Sequence, residues 1–348
     1  MLKNKTASSA GIRQYCGTKV KTLKIMTVGG ATQDIFFETG DAVIVNNRDD
    51  IIRQKLVGFE YGAKINIPEA YFCFGGGASN SAVAFSRLGV KTTSYISVGE
   101  DKTGESICNN LKNERIDVSC VEFSKKPSGF SCAVVYGRKT KDHVLFTYRG
   151  ANEDLQIDVD NIIKAKPDLV YLSSLSGKKW VGILNKLSAL VLKNNIKLAW
   201  NPGNLQLKKG IGELKVFLHH TEVLILNKDE AIELLLSASQ EKIINPRFML
   251  RALKEYCSNI IVITDGQKGA YAIDENRRIY FQPVKKIEKY DTTGVGDAFG
   301  STFVWGLNFF HNDIKAALEV ATINASAVIR QLGAQKGLLT KNQMMREL

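Results

Sequence analysis

Short runs of apolar and β-branched residues alternate with longer stretches in which apolar positions recur every three to four residues, and this rhythm fills the chain from Pro167 onwards. Leu169 to Ser173, Ile196 to Asn201, Glu222 to Leu226 and Ile260 to Thr264 read as buried strands, with helices expected over Val181 to Asn194 and Lys228 to Leu236. Strands and helices taking turns predict an α/β protein with a mostly parallel sheet covered on both faces. The pattern also opens the chain. Leu23 to Val28 is a first strand and Val90 to Val98 another, after which Gly99 to Gly104 opens a helix through Asn113. Towards the other end, Phe281 to Tyr290 reads as extended. Ala298 to Gly306 is apolar, rich in small residues and free of proline, as a buried helix would be, and Ile314 to Gln331 is a further helix.

Two segments break the rhythm. Phe36 to Ile67 is irregular, with short alternating pieces at Asp41 to Val45 and Ala63 to Ile67. Phe130 to Tyr136 and His143 to Tyr148 are β-rich and joined through Gly137 to Asp142, which predicts a hairpin. The pattern supports strands in both places without showing that they meet. Residues 1–23 hold lysines, an arginine, several Ser and Thr and no acid, and read as a basic tail. An organelle-targeting segment, or a start placed further downstream, are the alternatives for it. Residues 24–340 then form one domain, and 341–348 a C-terminal tail.

Composition narrows the class only modestly. A chain of 348 residues with 44% hydrophobic and 24% charged content is ordinary for a globular protein with a sizeable core. Its net charge of +12 suits an anionic ligand, but the lysines are spread along the chain among acids, so a solvated basic surface is the plainer reading and no nucleic acid is expected. Six cysteines form no C-x-x-C pair and no zinc-type cluster with the four histidines, as in a reduced, cytoplasmic protein. No apolar run reaches the ~18–20 residues of a membrane span.

The candidate chemistry gathers at two glycine-rich stretches. Asp291-Thr292-Thr293-Gly294-Val295-Gly296-Asp297-Ala298-Phe299 leads from an extended segment into a helix N-terminus. Gly294 and Gly296 let several amides converge there, and the first helical turn adds partial positive charge, which together suit a phosphate. Asp297 would repel an anion, which makes sense if it accepts a hydroxyl proton from a neighbouring group. An N-capping aspartate is the plainer alternative. The second stretch, Phe74-Gly75-Gly76-Gly77-Ala78-Ser79-Asn80, opens a small-residue helix that Gly89 closes, with Asn80 facing back from its first turn.

Both stretches resemble the signatures of the ribokinase family, the PfkB carbohydrate kinases, and they come in that family's order. The resemblance runs from about Lys24 to Leu339. It implies a three-layer αβα sandwich whose two irregular excursions, about 35–67 and 129–149, form a small β-sheet lid. It also implies transfer of the γ-phosphoryl group of ATP to a hydroxyl of a sugar or sugar acid, with Asp297 as base and the amides of Gly294, Val295, Gly296 and Asp297 as the anion hole.

On the acceptor side the resemblance implies Asp34, Gly76, Gly77 and Asn80, with Arg149 as a secondary candidate. On the nucleotide side it implies Asn227, Thr264, Gly266, Gly269, Thr292 and Asn324. Asn227 and Glu230, three apart at a helix start, would steer Mg2+ through water, though a helix cap explains that spacing equally well. A monovalent cation is a further candidate cofactor, and a homodimer through the lid a further expectation. A nucleoside acceptor is the alternative, with Phe36, Phe37, Tyr71, Phe72 and Phe130 as the aromatic slot for its base. A catalytically idle binding or regulatory protein is the alternative of another class.

Overall fold

The structure, a computed structural model, describes residues 23–46, 55–136, 143–239, 243–257, 259–285 and 290–348. The first half contains β1 (Lys24–Val28), β2 (Thr32–Thr39), β3 (Val43–Asn46), β4 (Lys55–Gly58), β5 (Ala70–Gly75), α1 (Gly77–Arg87), β6 (Lys91–Tyr95), β7 (Ser97–Gly99), α2 (Lys102–Asn113), β8 (Glu122–Ser124), β9 (Phe130–Tyr136) and β10 (His143–Tyr148). The second half contains α3 (Val159–Ala165), β11 (Leu169–Leu172), α4 (Trp180–Asn194), β12 (Lys197–Trp200), α5 (Asn204–Leu207), α6 (Gly210–His219), β13 (Val223–Asn227), α7 (Lys228–Leu236), α8 (Pro246–Leu253), β14 (Ile260–Thr264), β15 (Ala270–Ile273), β16 (Ile279–Gln282), α9 (Val295–Phe309), α10 (Ile314–Val328) and α11 (Lys341–Glu347).

Among the described residues one large sheet runs in the order β16-β15-β14-β13-β12-β11-β1-β6. It is parallel from β14 to β6, with β15 and β16 added antiparallel at one edge. Strand β11 shows why both faces are covered. Its side chains alternate in direction, so Leu169 and Tyr171 pack with Phe303 and Leu318, while Val170 and Leu172 pack with Trp180, Leu187 and Leu250. All four are apolar or aromatic and buried, as a central parallel strand demands. The result is the three-layer α/β sandwich.

The two irregular excursions meet. A second sheet runs β10-β9-β2-β5, in which β2 pairs in parallel with β9 and antiparallel with β5. The expected hairpin strands pair from His143 against Val135 to Tyr148 against Phe130. Its connection, Gly137 to Asp142, lies outside the described residues, as does the basic tail up to residue 22. Ala63 to Ile67, expected to be extended, is not a strand; β4 and β5 flank it, and β3 and β4 form a small ladder of their own. Val90 to Val98 divides into β6 and β7 at Ile96, where β7 leaves the large sheet to pair with β8.

A further correction concerns residues 341–348. They were expected to trail from the domain, yet they form α11, capped by a reciprocal pair of bonds between Thr340 and Gln343. Met344 is fully buried in the core beneath α9 and α10, and that apolar anchor holds the segment down. Among the described residues, no helix is long and apolar enough to cross a membrane. Cys73, Cys108, Cys120, Cys132 and Cys257 are free thiols.

Candidate active site

The residues predicted for the acceptor side gather where β1 hands the chain to the lid. Asn152 staples this turn: its Oδ1 accepts from the Ala31 amide at 2.8 Å, and its Nδ2 donates to the Ala31 carbonyl at 2.9 Å. Asp34 follows on β2 and is buried. Its Oδ1 accepts hydroxyl bonds from Thr32 at 3.0 Å and Ser131 at 2.6 Å. Burial pushes the Asp34 carboxyl above its ordinary range, and the two hydroxyls work against that rise. A Cβ on Gly75, across the strand pair, would sit 1.9 Å from Asp34 Oδ2, so glycine there makes room for the carboxylate.

The helix α1 begins hard against this turn. Gly76 has φ of 90°, and a Cβ there would lie 2.5 Å from Ala31 Cα. Only glycine combines that conformation with so close an approach. A Cβ on Gly77 would fall 3.3 Å from Asp297 Oδ1. In the first turn of α1, Asn80 Nδ2 donates to Asp297 Oδ2 at 2.8 Å. The two glycine-rich stretches therefore touch through their polar side chains.

Asp291 shapes the loop ahead of α9. Its Oδ1 accepts from the Thr293 amide at 2.9 Å and hydroxyl at 2.8 Å, and its Oδ2 from the Gly333 amide at 2.8 Å. Gly294 then takes a left-handed conformation, φ 73°, as the residue preceding α9. A Cβ there would come within 2.2 Å of Ala334 Cβ. The first turn of a helix leaves its N–H groups without intrahelical acceptors, and here those groups belong to the predicted anion hole. A Cβ on Gly296 would meet nothing within 4 Å beyond its chain neighbours and its own helix backbone, so this side of the turn is open. Asp297 is half-buried. Burial drives its carboxyl above the usual range, Asn80 pulls it back down, and the negative charge of Asp34 adds to the rise.

Beside this turn lies a cleft of ≈ 670 Å³. Of the predicted nucleotide-side residues, Asn227, Thr264, Gly266, Gly269 and Thr292 line it, joined by Val295 and Gly296 of the predicted anion hole. Lys228 and Asp265, also in the lining, form an ion pair at 3.4 Å. Asn227 and Glu230 cap α7 reciprocally: Asn227 Oδ1 accepts from the Glu230 amide at 2.9 Å, and Glu230 Oε2 from the Asn227 amide at 2.8 Å. The plainer reading of their spacing is thus realised. Burial also pushes the Glu230 carboxyl upward, and the charges of Glu233, Asp229 and Asp297 add to that.

Two predicted residues stand elsewhere. Asn324 is fully buried, its Nδ2 donating to Thr302 Oγ1 at 2.7 Å and its Oδ1 accepting from the Leu339 amide at 2.9 Å. Its amide ties α10 to α9 and to the chain before α11, and its neighbours Thr322, Ala325, Ser326 and Ile329 face the cleft instead. Arg149 is exposed, and its carbonyl rather than its guanidinium is engaged, accepting from Asn152 Nδ2 at 3.0 Å. Conversely, Ser131, Asn152, Asp291 and Gln335 were not singled out in the sequence. Asp291 heads the quoted signature, which was a signal in plain view. Ser131 reaches Asp34 only through the β2–β9 pairing, which a period-two pattern does not specify.

A mostly parallel sandwich, a second sheet that leaves the end of β1, and a carboxylate at a helix N-terminus beside a cleft together fit a small-molecule kinase. The pattern of the pfkB family carbohydrate kinases matches residues 49–341, and the chain belongs to that family of ATP-dependent sugar and nucleoside kinases. It is 28% identical over 288 residues to the ribokinase of Dictyostelium discoideum, covering 78% of this chain and 88% of that protein. Among solved structures, Arabidopsis thaliana ribokinase complexed with ribose and ATP superposes with a TM-score of 0.75 at 18% identity, over 94% of this chain and 98% of that one. The nucleoside kinase of Burkholderia thailandensis in complex with inosine gives a TM-score of 0.74 at 15% identity, over 93% and 97% of the two chains.

Proposed function

We propose that this kinase phosphorylates a hydroxyl of a sugar or sugar acid, with Asp297 as the general base. One observation carries the reading: Asp297 meets Asn80 on the acceptor side, while Val295 and Gly296 of the same helical turn line the nucleotide cleft. ATP is the substrate that supplies the phosphoryl group. Asp297 takes the proton of the acceptor hydroxyl as its oxygen attacks phosphorus, and the amides of Gly294 to Asp297 receive the charge that spreads over the transferring group. A carboxyl raised by burial is a better proton acceptor than one in water. Asp34, Gly76, Gly77 and Asn80 hold the acceptor. Arg149 is left out of this set because it is exposed.

Strand register narrows the aromatic slot that a nucleoside base would need. Asp34 pairs with Cys73 and Ser131, so these side chains share the face of the lid that looks towards Asp297. Phe37, Phe72 and Phe130 belong to the alternate rows and lie on the opposite face. Of the five aromatic candidates for a base slot, that leaves Phe36, which is 3% exposed, and Tyr71.

Among the described residues no group of three or more His, Cys, Asp or Glu gathers to hold a metal. Asn227 and Glu230 each spend one oxygen on the helix cap, and this donor set fits Mg2+ held through its own water. Magnesium bound there supplies positive charge against the phosphates. Glu230→Gln keeps an acceptor for the cap and removes the charge, so the magnesium concentration giving half-maximal turnover is expected to rise about tenfold. An unchanged magnesium titration would remove Glu230 from the role.

The outer face of the lid exposes Phe72, Phe130, Phe146 and Tyr148, a contiguous apolar surface that supports a homodimer through the lid. Sedimentation equilibrium should return twice the chain mass, and a monomer mass would dismiss that expectation. The function itself is tested by magnesium-dependent ADP release across pentoses, hexoses, ketoses, sugar acids and nucleosides. Turnover confined to nucleosides would overturn the proposed acceptor class, and nucleotide binding without turnover of any acceptor would favour an idle binding protein.

A further inference from the structure

Behind Asn80 stands a chain of side-chain amides that the catalytic reading does not use. Asn80 Oδ1 accepts from Gln335 Nε2 at 3.1 Å, and the same Nε2 donates to Ser79 Oγ at 3.1 Å. Gln335 Oε1 in turn accepts from Asn110 Nδ2, on α2, at 3.0 Å. Ser79, Asn80 and Gln335 are buried, so none of these groups can exchange its partner for bulk water without cost.

The backbone of Gln335 is held as firmly as its side chain. Arg87, in the last turn of α1, donates through its guanidinium to the carbonyls of Gln335 at 2.8 Å and Leu338 at 3.0 Å. The other side of the guanidinium pairs with Glu114, at 3.0 Å and 2.5 Å. One helix therefore grips the 335–338 segment at both ends, through Asn80 in its first turn and Arg87 in its last.

An amide has a donor end and an acceptor end, and the chain has one consistent direction. Asn110 donates to Gln335, Gln335 donates to Asn80, and Asn80 donates to Asp297. Reversing Asn80 would set its oxygen against a carboxylate and its NH2 against the NH2 of Gln335. We propose that Gln335, with Asn110 behind it, is a positioning residue that fixes the polarity of the Asn80 amide, so that a donor always faces Asp297. The proposal rests on the reading of Asp297 as the base.

The consequence is a base kept ready in its ionised form. Burial and the charge of Asp34 on β2 push Asp297 towards protonation, and Glu230 on α7 and Tyr171 on β11 also face it. The Asn80 donor opposes them. Loss of the relay lets Asn80 turn, Asp297 binds its proton more tightly, and more of the free enzyme is inactive at low pH.

The test is the pH dependence of kcat/KM for the acceptor at saturating nucleotide, which reports groups of the enzyme before the acceptor binds. In Gln335→Met the acid limb should move up by about one unit, an order of magnitude in rate on that limb. In Asn110→Ala it should move in the same direction by less. Nucleotide affinity should stay within about twofold of the parent in both, since neither residue lines the cleft. An unmoved acid limb, or a loss by the same factor at every pH, would sink the relay. Should Gln335→Met fail to fold, Asn110→Ala carries the comparison alone, by the same criterion. Asp297→Asn assayed alongside separates the two ideas: if it keeps its turnover the base is misassigned, whereas if it is inactive and the limb has not moved, only the relay is wrong.

Discussion

Asp297→Asn is expected to lower kcat by at least ~100-fold, since a positioned general base contributes ~10²–10⁴. Binding of nucleotide should be nearly unchanged, because the substitution leaves the backbone of the helix turn in place and the cleft lining intact. Turnover near the parent value would end the assignment. The same variant should be more stable than the parent at neutral pH. Burial raises the folded pKa of Asp297 above its unfolded value, so the folded state holds the proton to higher pH than the unfolded chain does. Stability is therefore present while the group is protonated and is lost as pH climbs from the ordinary carboxylate range through the raised value. Asp34 and Glu230 are shifted upward as well and add to the same trend. An amide at 297 removes one of these buried charges. A higher melting temperature with lost turnover would mark the carboxylate as kept for chemistry at the expense of stability. A lower one would mean that its bond to Asn80 outweighs the burial.

The second large effect belongs to Gly294→Ala. An alanine at φ 73° adopts a conformation that costs L-residues roughly 1–2 kcal/mol. Its methyl would also lie 2.2 Å from Ala334 Cβ and 2.7 Å from Ala334 Cα, so the two segments must part. A displacement of ~1 Å at a reacting centre can cost ~100-fold in rate, and kcat is expected to fall by about that much, together with the melting temperature. Gly296→Ala is the matched control. Nothing outside its chain neighbours and its own helix backbone stands within 4 Å of the added methyl, so it should keep the melting temperature and alter only the fit of nucleotide. If Gly294→Ala behaved like Gly296→Ala, the tight approach to Ala334 would have no functional weight.

The alternation of strands and helices after Pro167 was legible because a parallel strand buried on both faces must be apolar along its buried length, as β11 is throughout and β13 is from Val223 to Leu226. The two glycine-rich stretches were legible because close backbone approach leaves few residue types to choose from, and Gly76 against Ala31 bears that out. Pairing was not legible. The meeting of β2 with β9 depends on strands far apart in the chain, and a period of two looks the same whichever neighbour a strand takes. Asn324 misled for a related reason: a polar residue on a packed helix can face a ligand or a neighbouring helix, and only the fold tells that its partners are Thr302 and Leu339. The C-terminal helix was hidden by length, since seven residues carry too little periodicity to stand out.

The lid and the base are joined by contacts of very long sequence separation, 97 residues between Asp34 and Ser131 and 217 between Asn80 and Asp297. During synthesis the acceptor-side strand β2 must therefore wait for β9 before it gains its parallel partner, and Asn80 waits far longer for the carboxylate it faces. Domains form from the N-terminal side as the chain emerges, and non-local pairings are the slow ones. A nascent chain thus exposes one open edge of β2, whose other edge β5 can already cover, and a buried-to-be Asp34 well before Asp297 is made. The order of arrival makes phosphoryl transfer the last property the polypeptide acquires, and it makes the unfinished lid edge the place where a stalled or truncated chain would first associate with another.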